Sequence, residues 1–291
     1  MKKFEFPIFC ETIQRNKITF AYVVPPVVLA LANSSATSKF DLSSLRMLHS
    51  SAASLAPELA RKVHGKLKIG IKQGYGASEA SPGISSQSWE DWKDNPGSSG
   101  RLLPSMNLKI INDGKEVAVG ESGEIWLSGP NIFKGYLNNA EATAACLDSD
   151  GYYHTGDFGY VDQHHNLYIT DRLKELIKYN GFQVAPAELE AVLIGHQGVK
   201  DTAVIGVYSE ARATELPKAY VVSQPGYSPG PELREQIDAW MREKLAPHKQ
   251  LRGGIEFIDE IPKSAAGKIL RRTLVEAAQQ NAKKVALHAK L

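Results

Sequence analysis

The rhythm of the sequence changes twice, near Gly97 and again at Asp171, and these two breaks limit the fold more than any other feature. Residues 1–96 carry longer apolar runs with polar punctuation, the pattern of strands alternating with helices. From Gly97 to Thr170 the pattern becomes short strands separated by Gly, Asn and Asp: Leu108–Ile111, Gly123–Leu127, Tyr160–Val161 and Leu167–Ile169. That region reads as a small β-barrel or sandwich, and Asp113-Gly114 reads as a hairpin turn. Beyond Asp171, strands at Ala203–Val207, Ala219–Val222 and Ile255–Ile258 alternate with helices at Pro186–Ile194 and Glu232–Leu245. Leu233, Ile237, Trp240, Met241 and Leu245 share one face of the second helix. The expectation is an α/β part (about 1–96) and a β part (about 97–171) in one domain, then an α+β domain over 172–291. A chain of 291 residues accommodates this, since domains commonly hold about 100–200 residues.

Within the first part, the 15-residue apolar stretch Ile18–Ala32 is broken by Pro25-Pro26. It is too short for the roughly 20 apolar residues of a membrane span, and it reads as a buried strand and turn. A helix is expected over Ala56–His64, with Pro57 and Glu58 at its start, Arg61, Lys62 and His64 toward its end and Gly65 closing it. A strand at Leu67–Ile71 then leads to a loop, Gln73-Gly74-Tyr75-Gly76. Gln224 to Pro231 reads as a loop rather than a domain linker.

Composition excludes several classes. With 43% hydrophobic and 23% charged residues the chain is neither disordered nor fibrous. Thirty-four Lys and Arg against 32 Asp and Glu leave a charge of +2, so nothing general draws it to nucleic acid. Two cysteines, Cys10 and Cys146, cannot frame a disulfide scaffold and point to a reducing compartment. Met1-Lys2-Lys3 precedes no uninterrupted apolar run, so no signal peptide is expected. His164-His165 has no acidic or Cys partner at ligand spacing, and a metal role is not expected there. Trp89 and Trp92, among Glu90, Asp91, Lys93 and Asp94, read as a surface helix or loop cover. The last 29 residues hold seven basic residues and a single acid, Glu276. They end in Ala289-Lys290-Leu291, a conservative variant of the Ser-Lys-Leu peroxisomal address. Peroxisomal localisation with the import receptor as partner is therefore the expectation, and cytoplasm otherwise.

Four segments carry chemistry. In Gln73-Gly74-Tyr75-Gly76-Ala77-Ser78-Glu79 the glycines allow close backbone approach to a flat ligand and the tyrosine can stack on a base. Ser78 suits a phosphate and Glu79 a hard cation such as Mg²⁺. An equally weighted reading is a tight turn around a buried tyrosine. His154-Thr155-Gly156-Asp157 presents a carboxylate able to accept two hydrogen bonds from a ribose diol; alone, it reads better as a turn-capping Asp. Asp171–Gln183 places several cations at the break between two architectures, suited either to solvent or to an anionic ligand. Ile261–Leu270 puts Lys268 after a small-residue loop. It is not a Walker loop, since Pro262 replaces the leading Gly and Ile269 the Ser/Thr, but the lysine is an adjustable point charge for phosphoryl or carboxylate oxygens.

In this order and at these spacings, the four segments resemble the adenylate-forming superfamily, specifically acyl-CoA synthetases similar to coumarate:CoA ligases, fungal acyl-CoA ligases and firefly luciferase. Ser50-Ser51-Ala52-Ala53-Ser54 is similar to the family's adenine-contact loop, with Ser51 and Ser54 replacing the usual Gly and Pro. The resemblance implies an acid:CoA ligase that makes an acyl-AMP from ATP and passes the acyl group to coenzyme A. It implies that Ala52, Ala53, Gln73, Gly74, Tyr75 and Gly76 line the adenine, Ser78 meets phosphate, and Glu79 holds Mg²⁺. Asp157 and Arg172 would take the ribose hydroxyls, and Lys174 would be the hinge between two half-reactions. Lys268 would steady the carboxylate and α-phosphate. Lys178 and Gln183 would serve adenylation or thioester formation, with Gly181 near the CoA path and Asn180 where relatives often have Lys.

The family's Ser/Thr/Gly-rich phosphate loop has no counterpart here; Asn33–Lys39 has a similar composition but lacks the glycines and lies elsewhere. The resemblance therefore implies the C-terminal half to three-fifths of a ligase, with poor ATP-driven adenylation and exposed apolar edges. A non-catalytic AMP- or acyl-AMP-binding fragment, completed by a separate N-terminal half, is the alternative. A peptide-synthetase adenylation module is disfavoured by the short basic tail after Leu270, and no residue argues for luciferase-like oxygenation. The acid itself, fatty, aromatic or from secondary metabolism, is not legible. For Trp89 and Trp92, a border of the acyl pocket near Ser81-Pro82-Gly83 is the alternative to a surface cover.

Overall fold

The computed structural model describes residues 4–53, 55–264 and 267–288, so Ser54 of the expected adenine loop, Ala265-Ala266 and the Ala289-Lys290-Leu291 address lie outside the described residues. The chain divides into two compact units, Met1–Ile169 and Thr170–Leu291.

The first unit opens with helix α1 (Phe6–Asn16), strand β1 (Phe20–Val23), helix α2 (Pro25–Asn33), strand β2 (Met47–Ser50), helix α3 (Pro57–Leu67) and strand β3 (Gly70–Gly76). The segment expected to turn after β1 is instead helical. Pro25 and Pro26 occupy the first helical positions, where a missing N–H removes no hydrogen bond and the fixed φ is already helical. The helix α3 outruns Gly65 to Leu67 and ends on Lys68 in the left-handed region (φ 59°), so β3 starts only at Gly70. β3 also takes in Gln73–Gly76, expected as a loop, because β4 (Gly83–Ser86) pairs with it at Gly74↔Ser86 and Tyr75↔Ser85. With β5 (Arg101–Leu102) these strands form one sheet in the order β1-β2-β3-β4-β5. β1, β2 and β3 are parallel, each reached through a helix, and β3, β4 and β5 are antiparallel. α1, α2 and α3 bury Ile13, Val28, Leu31 and Val63 together with Leu48 and Ile71 of the sheet.

The second sheet of this unit comprises β6 (Asn107–Asn112), β7 (Lys115–Glu116), β8 (Gly123–Ser128), β9 (Tyr153–Val161) and β10 (Leu167–Arg172), with a short helix α4 (Ala140–Ala144) before β9. Its order is β10-β9-β8-β6-β7, with no pairing between first and last strands among the described residues. Asp113 (φ 47°) and Gly114 (φ 73°) make the β6–β7 hairpin turn, both in the left-handed region that this turn requires. Ala80, Ile84, Ile125, Leu127 and Leu167 form the core between this sheet and the end of the first.

The second unit follows with the hairpin β11 (Ile177–Tyr179) and β12 (Phe182–Val184), helix α5 (Pro186–Ile194), strands β13 (Val199–Ser209) and β14 (Thr214–Ser223), helix α6 (Pro231–Lys244), strand β15 (Gly254–Phe257) and helix α7 (Arg271–His288). β13 and β14 are antiparallel and β15 runs parallel to β14. Side chains alternate across this three-stranded sheet as the period of 2 demands. Val204, Ala219 and Val221 meet Leu189 and Leu193 of α5 and Leu233, Ile237 and Met241 of α6. Ala203, Ile205, Tyr220 and Val222 face the other way, against Leu274 and Ala278 of α7. No helix among the described residues is long and apolar enough to cross a membrane.

Candidate nucleotide and acyl-transfer site

In the first unit the expected nucleotide residues gather at the end of β3. Gln73 is buried, and its N–H donates to Gln87 Oε1 at 2.7 Å. Gly76 is required by close approach, since a Cβ there would lie 2.3 Å from the Pro82 carbonyl oxygen, and a Cβ at Gly74 would meet the His49 ring at 2.5 Å and the Ser85 carbonyl oxygen at 3.0 Å. Between them, the Tyr75 hydroxyl donates a short hydrogen bond to Asp157 Oδ2. Burial, then the charge of Asp157, pushes the Tyr75 phenol far above its ordinary value, so it stays protonated and able to donate to the carboxylate.

Asp157 is 7% exposed and lies within β9, not on the turn its sequence suggested. Gly156 (φ 67°) bulges where the β8–β9 register shifts between Glu124 and Trp126, and its N–H donates to Glu124 Oε1 at 3.0 Å. A left-handed glycine inside a strand is what re-aims a side chain at a bulge. Thr155 Oγ1 accepts from the Asp157 N–H at 3.0 Å and donates to the Ile125 carbonyl at 2.8 Å, which fixes the backbone under the carboxylate.

Ser78, exposed, and Glu79, half-buried, lie on a single 3-10 turn, Ser78–Ala80. A strap that sequence reasoning did not single out holds this turn. Asn131 Nδ2 donates to the carbonyls of Ala80 (2.7 Å) and Gly83 (3.0 Å), and the Phe133 N–H donates to the Glu79 carbonyl (2.7 Å). The Tyr136 hydroxyl donates to Glu79 Oε1 at 2.8 Å. Gly135-Tyr136 flanked by Asn131 and Asn138 was the available signal, but it carries no chemistry when read alone. Glu79 offers one carboxylate, and among the described residues no group of three or more His, Cys, Asp and Glu could cage a metal. One carboxylate fits Mg²⁺ held largely by substrate phosphates and water.

Ala52 and Ala53, expected at the adenine, are exposed just beyond β2. Ala52 takes φ 74°, a strained value for a residue with a Cβ. The Ser50 hydroxyl beneath is buried without a hydrogen-bond partner among the described residues.

In the second unit Arg172 ends β10 and Lys174 is exposed two residues on. Lys178 and Gln183 are direct cross-strand partners in the β11–β12 hairpin, both exposed, with Asn180 (φ 47°) and Gly181 (φ 83°) forming the turn. This places an ammonium and an amide side by side. The hairpin is anchored at its base: the Lys178 N–H donates to Glu215 Oε2 (2.7 Å), and Thr214 Oγ1 donates to the Lys178 carbonyl and accepts from the Asn180 N–H, both at 2.8 Å. Lys268 rides a loop closed by an antiparallel bridge, Lys263↔Ile269, and its own N–H donates to Ser264 Oγ at 3.2 Å. His164 and His165 lie in a turn whose N–H groups at His164 and Asn166 bond Asp162 Oδ1, a structural Asx turn.

Comparison with known proteins identifies the family. Residues 1–137 match the family described as AMP-binding enzyme, and residues 188–268 match the AMP-binding enzyme C-terminal domain. The chain belongs to the AMP-binding, adenylate-forming enzymes. Within them it is similar to 4-coumarate–CoA ligases. It is 46% identical over 278 residues to probable 4-coumarate–CoA ligase 2 of Dictyostelium discoideum, covering 94% of this chain and 49% of that protein. Its identity to 4-coumarate–CoA ligase 1 of Glycine max is 43% over 282 residues, covering 94% of each. Among solved structures, the anthranilate CoA ligase AuaEII in complex with anthranoyl-AMP superposes with a TM-score of 0.87 at 33% identity, over 96% of this chain and 52% of that one. The chain thus spans about half the length of most of the curated relatives it matches. ATP or AMP and coenzyme A are substrates typical of this family.

Proposed function

We propose that the chain is the acyl-adenylate-handling portion of an AMP-forming acid:CoA ligase. The observation that carries this reading is the bond between Tyr75 and Asp157, residues separated by 82 positions, which fixes an aromatic ring and a carboxylate beside the Ser78–Glu79 turn. An aromatic face for a purine, a carboxylate for ribose hydroxyls and a hydroxyl for a phosphate are the groups an AMP moiety needs.

In the first half-reaction a substrate carboxylate oxygen attacks the α-phosphorus of ATP, and pyrophosphate leaves with the bonding pair. Lys268 opposes the negative charge shared by the carboxylate and the α-phosphoryl oxygens, catalysis by placed charge rather than by proton transfer. Glu79 is the residue that would hold Mg²⁺, which when bound neutralises the phosphate oxygens. Ala52, Ala53 and Gln73–Gly76 border the base. In the second half-reaction the coenzyme A sulfur attacks the acyl carbon and AMP departs. The Lys178–Gln183 pair then supplies a cation and an amide along the path past Gly181, with Lys174 as the pivot between the two half-reactions. We also hold as a proposal that Ala289-Lys290-Leu291 addresses the chain to peroxisomes; a fluorescent fusion lacking Leu291 should stay in the cytosol.

The test is to supply preformed coumaroyl-AMP and coenzyme A, bypassing ATP, and to follow coumaroyl-CoA by chromatography. Formation of the thioester, lost in a Lys178→Ala, Gln183→Ala double variant, is the expected result. A second reading is a nucleotide-binding fragment that works only with a separately encoded half. Calorimetric binding of coumaroyl-AMP with no thioester formed would select it. Absence of both binding and turnover would refute both.

A further inference from the structure

The loop that carries Lys268 is fastened at both of its legs to the same strand. Inside the loop, the Leu270 N–H donates to the Pro262 carbonyl (2.9 Å), the Ser264 N–H to the Lys268 carbonyl (2.8 Å) and the Gly267 N–H to the Ser264 carbonyl (2.8 Å). These bonds shape the loop but do not fix where it points. Ile261 and Ile269 anchor the two legs in the core beneath α7, and two cations add polar ties to them. On the incoming leg, Lys263 Nζ bonds Asp201 Oδ2 of β13 at 2.6 Å, each side chain 26% exposed. On the outgoing leg, the Arg271 guanidinium, 14% exposed, bonds Glu175 Oε2 at 2.5 Å and Glu190 Oε2 at 2.7 Å, and its Nε donates to the Val204 carbonyl of β13 at 3.3 Å. Asp201 and Val204 lie three residues apart on β13, roughly 10 Å along the strand, so the two legs are tied to one strand at separate points, the outgoing leg also to Glu175 and to Glu190 of α5.

We propose that Lys263 and Arg271 are positioning residues for Lys268: they clamp the legs of its loop to β13, so that the lysine backbone is held before any ligand arrives. The inference rests on the role given to Lys268 above. A lysine side chain already loses rotamer entropy when it is immobilised. A loop that also had to be ordered at the moment of binding would add the cost of fixing its backbone. The clamp removes the second cost, and the Arg271 fork does so with geometry a lysine could not reproduce. The grip of Arg271 on Glu175 also reaches the segment that holds Lys174, so one guanidinium orders the surroundings of two functional lysines.

Replacing Arg271 leaves Glu175 and Glu190 partly buried without their cation and threatens the fold, so the decisive variants are at the more exposed leg. Lys263→Gln, Asp201→Asn and the conservative Lys263→Arg are compared with the parent chain by hydrogen exchange and calorimetry. Exchange at the amides of Ser264, Gly267 and Leu270 should quicken about tenfold in the first two variants, as local opening does when a charged hydrogen bond is lost. Amides of α5 and α6 should be unchanged, and Lys263→Arg should restore protection. With a non-hydrolysable acyl-sulfamoyl adenosine as probe, Lys263→Gln should weaken binding several-fold in the parent and not at all in a Lys268→Ala background. Unchanged loop exchange, or equal losses of affinity with and without Lys268, overturns the proposal. If the parent chain fails to bind the probe, it is the acyl-adenylate reading that falls, while the exchange data still decide whether the two cations hold the loop.

Discussion

Tyr75 and Asp157 join the two sheets of the first unit, since Tyr75 ends β3 of one and Asp157 lies in β9 of the other. The bond is largely buried and its acceptor is a carboxylate, which makes it one of the stronger kinds. Tyr75→Phe should therefore destabilise the first unit by about 1.5–3 kcal/mol, read as a lowered urea midpoint. The same bond has an alkaline signature. Burial and Asp157 raise the Tyr75 value in the folded state above the unfolded value of about 10. The contribution is complete below about pH 10 and is lost as pH rises beyond it. Stability of the parent should fall more steeply than that of Tyr75→Phe from pH 10 upward, with a residual slope from Tyr153, which burial also raises. Parallel slopes would show that the bond does not form.

Tyr136 reports on Glu79. Its hydroxyl is pushed up to about 12 by the hydrogen bond to that carboxylate, with burial and the carboxylate's charge adding to it. Glu79→Gln removes the charge, so one tyrosine should ionise nearer to 10 in an ultraviolet titration. An unchanged titration would mean that the strap does not grip Glu79.

Two left-handed glycines should respond very differently to the same change. A Cβ at Gly100 (φ 80°) would lie 2.1 Å from the Gln87 nitrogen, whereas one at Gly114 (φ 73°) meets nothing within 4 Å. Gly114→Ala should cost about 1–2 kcal/mol of backbone strain alone. Gly100→Ala adds an overpacking cost of about 1–3 kcal/mol or more, and should separate clearly from it in urea unfolding.

His49 sets an acid limit on the first unit. Burial, then Lys72, lowers its value below the ordinary 6.5. Its contribution is therefore complete above about pH 6.5 and is lost as pH falls toward the depressed value. His49→Gln should flatten the acid limb of a stability–pH curve measured between pH 7 and 5.

The sequence displayed the second unit more openly than the first. The helix Pro186–Ile194 and the hairpin turn at Asn180-Gly181 were legible because prolines and turn residues act locally. The helix α1 and the helical fate of Pro25–Asn33 were not, because their apolar residues face a sheet assembled from distant segments, and periodicity in a short apolar run does not distinguish strand from helix. Lys178 and Gln183 were each marked, yet their side-by-side pairing follows only from the register of the β11–β12 hairpin. Tyr136 and Arg271 escaped notice because their meaning lies in partners 57 and 96 positions away, Glu79 and Glu175.

The long hairpin of the second unit bears on the order of events during folding. Its ladder runs from Ser209↔Thr214 out to Val199↔Ser223, so each pairing extends one already made. Hairpins form in about 1–10 μs. The parallel pairing Phe20↔Met47 of the first unit instead has to close a loop through α2 before any ladder bond rewards it. The kinetic nucleus therefore belongs to the later half of the chain. In a refolding experiment, protection of the β13–β14 amides should precede that of β1 and β2.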